Sequence, residues 1–384
     1  MERGEHGMTG LGELVAIRWG SGDPAAPLVV LLQGPGDATE KDLAAFAPLL
    51  PVGAGYASVR VLLPPSEQGF ASFRRWLDEQ AVAQVPVVLV GFGSGAAFVG
   101  GLVLAEPTRF AAAALLYGTM PFDADVPVTR GRLFGVPVFL THGAHDTVIP
   151  VELQRQTWDY LVRESGSPLW ALRAPTGHEL TAQTVSELAG WVEARLGYLQ
   201  RYPLTLSPAG EQACWPALPD DRLPVRHGDS PEVSVTTPQQ QESQNAPVEL
   251  QEALFSRIAE LDGVVTAPSA VSVPGARAFC LPPPRVPSGD TGGSSEAFIV
   301  AEVGEFAHLH PSHDGSLHLV LPIPLARDAL TKGWGVAHPL AGIRLTPGMV
   351  MIFGPRDATE LDIVTAIVRA SHTYAAGAVC RSTS

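Results

Sequence analysis

Lysine is almost missing from this chain: of 384 residues only Lys41 and Lys332 carry an ammonium group, and arginine supplies the remaining positive charge. With 25 Lys and Arg against 39 Asp and Glu, the formal net charge is -14. An acidic surface offers no attractive field to phosphates or to an anionic bilayer, so neither nucleic acid nor membrane is expected as a partner. Cysteine is as scarce. Cys214, Cys280 and Cys380 are odd in number and far apart, which leaves no disulfide framework and no zinc-finger spacing. No apolar run is long enough to span a bilayer. The opening Met1-Glu2-Arg3-Gly4-Glu5-His6 lacks the apolar core of a secretion signal. A soluble protein of a reducing cytoplasm is the expectation. What the chain has in quantity is hydrophobic residues, 46% of the total, and length enough for two buried cores.

Through residues 1–200 short apolar runs alternate with amphipathic stretches. Pro27 to Gln33, Ala57 to Leu63, Pro86 to Val90, Ala111 to Tyr117, Pro137 to His142 and Leu169 to Arg173 read as strands. They lack polar alternation, as strands covered on both faces do. Helical patterns over Lys41 to Leu50, Phe70 to Ala83, Ala96 to Ala105, Val151 to Glu164 and Glu179 to Leu196 lie between them. This order predicts an α/β domain, a doubly wound and mostly parallel sheet. Residues 201–246, rich in Pro, Gln, Ser and Asp, read as a linker on which Trp215 and Leu218 could dock. Residues 247–384 read as a smaller α+β domain. It starts with the helical stripe Leu250, Leu254, Ile258 and Leu261 and ends with a helix from Ala358 to about Tyr374.

The densest local signal is Val87-Val88-Leu89-Val90-Gly91-Phe92-Gly93-Ser94-Gly95-Ala96-Ala97, a buried strand, a tight turn and a small-residue helix start. A nucleophile elbow has this setting, with Gly-x-Ser-x-Gly raising a serine above the sheet. Between the outer glycines Gly91 and Gly95, the central place holds Gly93, and Ser94 falls one residue late. Two further loops leave the same sheet edge: Thr141 to Pro150, with Asp146, His142 and His145, and Pro175 to Leu180, with His178. An acid followed by a histidine, after an elbow, resembles the phospholipase/carboxylesterase group of α/β-hydrolases. Leu31-Leu32-Gln33-Gly34-Pro35-Gly36-Asp37 and Gly69-Phe70-Ala71-Ser72-Phe73 look like two more of its motifs. The resemblance covers about Leu11 to Leu199 and implies that Asp146 and His178 are the acid and base. It also places the nucleophile at Gly93 and the first oxyanion donor at Pro35, which has no N–H to give. Gln33 replaces a histidine, Gly34 follows it, and the second donor would be the Ser94 N–H. Losing one oxyanion donor costs about 100- to 1000-fold in rate, so ester hydrolysis through an acyl-serine is not expected. Phosphate-loop readings of the same glycines fail, because no Gly-Lys-Ser/Thr ending follows.

A second cluster is Ala307-His308-Leu309-His310-Pro311-Ser312-His313-Asp314-Gly315-Ser316-Leu317-His318-Leu319. Strand alternation places His308 and His310 on one face, and the Asp-Gly ending predicts a hairpin. If His310 pairs with Ser316, His308 pairs with His318, and His338 could approach them. The readings left open are a divalent metal on His308, His310 and His318, a metal-free acid–base or binding site, and a hydrogen-bonded structural face. Together with Gly333-Trp334-Gly335, His338-Pro339 and Gly354-Pro355-Arg356-Asp357 with Glu360, the cluster resembles a family of small modules named the luciferase domain. That name does not by itself imply light emission.

The sequence therefore points to an enzyme of tailoring metabolism on a hydrolase scaffold. His178, oriented by Asp146, would drive a cyclisation, lyase or epimerase reaction on a carbonyl-bearing small molecule. Two alternatives stand beside it: residual ester or thioester hydrolysis through Ser94 or an activated water, and a non-catalytic first domain with ligand or metal binding at the C-terminal histidines. No organic cofactor is expected, and the sequence is silent on oligomeric state.

Overall fold

The computed structural model describes residues 14–34, 49–80, 85–202, 213–282 and 295–377. They fall into two compact units. The first takes the described residues up to 161 and those within 169–206 and 342–344; the second takes 162–168 and the described residues within 207–341 and 345–384.

Among the described residues, seven strands form the sheet of the first unit: β1 (Leu14–Gly20), β2 (Leu28–Gln33), β3 (Gly55–Val61), β4 (Val87–Phe92), β5 (Ala112–Leu116), β6 (Val138–Gly143) and β7 (Leu169–Ala174). Their order is β1-β3-β2-β4-β5-β6-β7, with every pairing parallel except β1 on β3. This is the predicted hydrolase-like sheet with one added edge strand. β1 is an edge strand with Ile17 exposed, and it is not among the predicted strands. The central strands β4 and β5 are buried at every residue, which is why neither carries a polar side chain.

Among the described residues four α-helices accompany the sheet: α1 (Glu67–Glu79), α2 (Ser94–Ala105), α3 (Val151–Arg163) and α4 (Ala182–Arg201). α1 starts where the Ser66 hydroxyl accepts from the Gly69 N–H. Removing such a cap costs about 1 kcal/mol. Phe70, Phe73, Trp76 and Leu77 recur at helical spacing and are buried, so α1 is held by one apolar stripe. α2 follows the elbow and is buried nearly all round, consistent with its small and apolar sequence. The helix expected over Lys41 to Leu50 lies, except for its last two residues, outside the described residues.

The second unit contains α5 (Val248–Ala259), α6 (Ile323–Thr331) and α7 (Ala358–Ala375) with β8 (Val265–Pro268), β9 (Arg277–Cys280), β10 (Glu305–Leu309), β11 (Leu317–Val320), β12 (Gly335–Ala337) and β13 (Met349–Ile352). The strands order as β12-β13-β11-β10-β9-β8, all antiparallel. α7 is capped by Asp357, whose carboxylate accepts from the Glu360 N–H at 2.8 Å, while Arg356 pairs with the Glu360 carboxylate. The Gly-Pro-Arg-Asp motif thus has a structural role here. The described stretch of the expected linker, 213–246, belongs to this unit. Trp215 is buried and its indole N–H donates to Asp328, whereas Leu218 is only half-buried. Gln239 and Gln241 are buried too: the Gln239 side-chain oxygen meets His318 of the histidine hairpin, while the Gln241 side chain donates to the Ser243 and Gln244 carbonyls and its backbone N–H donates to Asp314. Among the described residues, no helix is long and apolar enough to cross a membrane.

Candidate functional site

At the end of β4 the chain turns through Gly93, with φ 56° and ψ -121°, and α2 begins at Ser94. Positive φ of this kind is strained for any residue with a side chain. The outer glycines answer a different need. A Cβ on Gly91 would overlap the carbonyl of Gly95, and one on Gly95 would overlap the carbonyl of Leu32. All three glycines are therefore accounted for by a tight turn of helix onto strand. The turn apex is Gly93, and Ser94 is the first helical residue, its hydroxyl lying where a Cβ on Gly34 would sit. Gln33 closes β2 and Gly34 follows it; Pro35 lies outside the described residues.

The two other predicted loops meet at the same edge. Ala144 N–H donates to the Ala174 carbonyl at 2.7 Å, and His145 N–H to the Thr176 carbonyl at 2.9 Å. These bonds bring Asp146 and His178 together, with His178 Nδ1 2.9 Å from Asp146 Oδ2. The other carboxylate oxygen accepts from the N–H groups of Val148, at 2.8 Å, and Ile149, at 3.1 Å. Burial acts to raise the Asp146 pKa. The bonds from His178 and from the two backbone amides outweigh it and hold the carboxyl below its ordinary value. A fixed carboxylate at Nδ1 keeps the proton there and leaves Nε2 as the basic nitrogen. His178 retains 15% side-chain exposure, packed beside Phe92 at 5.2 Å and Tyr117 at 6.1 Å between ring centroids.

Tyr117 was not legible in the sequence. It ends the β5 run with φ 50°, a left-handed conformation rare for an aromatic residue. Its hydroxyl lies 3.3 Å from both Thr176 Oγ1 and Thr184 Oγ1. His142 behaves differently from its neighbours. Both its ring nitrogens are buried without a partner among the described residues, and burial, with Arg173 adding to it and Asp146 opposing, pushes its pKa down to about 4. His145 is exposed on the loop.

In the second unit the predicted hairpin pairing is present: His308 lies opposite His318, and His310 N–H donates to the Ser316 carbonyl at 2.9 Å. His308 Nε2 is 3.2 Å and His310 Nε2 3.1 Å from His318 Nδ1. Each outward nitrogen has its own acceptor. His308 Nδ1 faces Glu305 at 2.7 Å, His310 Nδ1 faces Asp314 at 2.6 Å, and His318 Nε2 faces the Gln239 side-chain oxygen at 3.1 Å. Glu305 also accepts from Ser269 Oγ and Ala270 N–H, and Asp314 from Ser316 N–H. Against the cost of burial, these bonds hold both carboxyls below their ordinary range. Burial pushes His308 down despite Glu305, and pushes His318 down further with help from the neighbouring imidazoles. His338 packs edge-on to His318 at 5.0 Å between centroids, and its Nδ1 accepts from Leu340 N–H. Burial, with His308 and His310 adding to it, lowers its pKa to about 4. Glu305, Asp314 and Gln239 were missed. Glu305 stands three residues before His308, and Asp314 is half of the turn signal, but Gln239 sits in a polar run with no mark of function.

Residues 72–191 match the family model described as phospholipase/carboxylesterase, and residues 303–371 match that of the luciferase domain. A protein from Neonothopanus nambi named luciferase is 30% identical over 187 residues, 42% of this chain and 66% of that protein. Another of that name from Armillaria gallica is 37% identical over 99 residues, 24% of this chain and 33% of that protein. The chain thus spans about a third of the Armillaria relative's length. Among solved structures, the Bacillus cereus carboxylesterase aligns with 48% of this chain and 95% of its own, at 20% identity and a TM-score of 0.39. A carboxylesterase from Mesorhizobium loti covers 49% and 98%, at 20% identity and a TM-score of 0.40. The chain carries, in this order, an α/β-hydrolase domain of the phospholipase/carboxylesterase kind and a luciferase domain.

Proposed function

We propose that the first unit is an acid–base catalyst that works without a serine nucleophile, acting on a carbonyl-bearing small molecule in a tailoring reaction of the cyclase, lyase or epimerase type. The observation that carries this reading is the His178–Asp146 pair, held at 2.9 Å at the sheet edge beside an elbow whose apex is Gly93. His178 Nε2 takes a proton from the carbon next to the carbonyl, and the C–H electrons move to the carbonyl oxygen as an enolate. The imidazolium formed is stabilised by Asp146, and the same proton is returned to another atom or to a leaving group. The amino end of α2 supplies positive potential for the developing oxyanion. The scarcity of cysteine, three in 384 residues with no framework spacing, accords with a reducing, cytoplasmic setting.

The test is deuterium wash-in at the α-carbon of simple 1,3-dicarbonyl esters in D2O, read by NMR, with fluorophosphonate labelling alongside. His178→Ala is expected to lower exchange by about 100- to 10,000-fold, the range of general acid–base contributions. Ser94→Ala is expected to leave it unchanged. Exchange that survives His178→Ala, or a fluorophosphonate adduct on Ser94, rejects the proposal; the adduct would move the chemistry to residual hydrolysis.

A further inference from the structure

We propose that His308, His310 and His318 bind one borderline divalent transition metal, with zinc as the reference ion, through His308 Nε2, His310 Nε2 and His318 Nδ1. This site lies in the second unit and does not depend on the acid–base reading of the first.

The argument is one of proton placement. Glu305 and Asp314 are acceptors, so the ring protons of His308 and His310 sit on Nδ1. The Gln239 side-chain oxygen accepts from His318, so that ring's proton sits on Nε2. In the neutral rings the nitrogens left over are His308 Nε2, His310 Nε2 and His318 Nδ1, and each carries a bare lone pair. These are the atoms that converge, at 3.2 and 3.1 Å on His318 Nδ1, with all three within 4.8 Å of one another. Three lone pairs aimed at one point repel unless a cation lies among them.

A proton is a poor candidate for that cation. Protonating His308 or His310 lets one Nε2–H reach His318 Nδ1, but that nitrogen has a single lone pair and the third ring stays unsatisfied. A metal satisfies all three nitrogens together. At Zn–N bonds of 2.0–2.1 Å, ligand nitrogens stand about 2.9 Å apart in an octahedron and about 3.3 Å apart in a tetrahedron, which brackets the two separations to His318 Nδ1, 3.2 and 3.1 Å.

The surroundings fit as well. Metal-bound histidines almost always give their second N–H to a carboxylate or carbonyl, which fixes the tautomer and makes the ligand more basic. Glu305, Asp314 and Gln239 occupy those three positions. All-imidazole ligation selects zinc, copper, iron or nickel over calcium or magnesium. Three protein ligands also leave a coordination place for water or a substrate oxygen, as in catalytic sites. His338 packs on His318 at 5.0 Å between ring centroids, and because its Nδ1 accepts a backbone N–H, its own proton sits on Nε2.

The full chain, purified without chelators, is assayed for metal by elemental analysis and then titrated with Zn2+ and Co2+. About one ion per chain is expected, and the Co2+ form should show visible d–d absorption. Its proton NMR spectrum in H2O should contain three hyperfine-shifted exchangeable N–H signals, from His308, His310 and His318, that vanish in D2O. His310→Ala is expected to abolish binding. Gln239→Leu keeps every ligand but frees the His318 proton, and should weaken affinity by about 10- to 100-fold. It remains informative if His310→Ala fails to fold. Failure of the wild-type chain to take up Zn2+ or Co2+ at micromolar concentration overturns the proposal, as does binding that persists undiminished in His310→Ala.

Discussion

Replacing His142 with leucine removes an imidazole whose two nitrogens are buried without a partner among the described residues. At neutral pH the wild-type ring is uncharged, yet its polar atoms have lost water and gained nothing. An unsatisfied buried group of this kind costs about 1–3 kcal/mol, so the leucine variant is expected to be more stable by about that much at pH 7.5. Acid adds a second effect. The folded-state pKa is lowered from 6.5 to about 4, so between those values the unfolded chain binds the proton more readily. Stability therefore falls as pH falls through that window. Between pH 7.5 and 5 the loss assigned to this group is about 2 kcal/mol, and the leucine chain does not suffer it. Urea unfolding of both chains at the two pH values is the assay, with the transition of the first unit followed separately. Comparing the two chains cancels every other titrating group. A stability gap that stays constant from pH 7.5 to 5 would refute the burial argument, because it would mean that His142 is protonated as easily when folded as when unfolded.

Gly93→Ser places a hydroxyl at the elbow apex, and a fluorophosphonate probe is expected to label residue 93 in that variant and not in the parent chain. The substitution puts a side chain at φ 56°, so a melting temperature lower by the equivalent of about 1–3 kcal/mol should accompany it. Gly95→Ala drives a methyl into the Leu32 carbonyl and should destabilise the first unit by about 1–3 kcal/mol without touching Asp146 or His178; calorimetry checks this. Asp146→Asn removes the charge that fixes the His178 tautomer, so deuterium exchange should fall while fluorescence and circular dichroism stay as in the parent chain.

Much of both sites could be read before any fold was known. Asp146 and His178 stand in loops that follow strands in a parallel sheet, and such loops share one edge whatever the details of packing. His308 and His318 were paired correctly because strand alternation and an Asp-Gly turn determine register over a few residues. Other groups had no such local signal. Gln239 reaches His318 from 79 positions away, out of a segment whose composition suggests a solvated tether. Tyr117 takes its left-handed conformation from the β5 and β6 strand ends that hold it, and apolar patterning carries no trace of that.

The chain by itself determined the alternation of strands and helices from β2 onward in the first unit, the glycine at the elbow apex and the residue types offered to each site, because periodicity and turn chemistry act over short spans. Tertiary structure alone decided which hydrogen-bond acceptor each imidazole meets, and with it where each proton rests. That choice depends on carboxylates and amides brought together from distant segments, and it decides whether a ring nitrogen presents a proton or a lone pair.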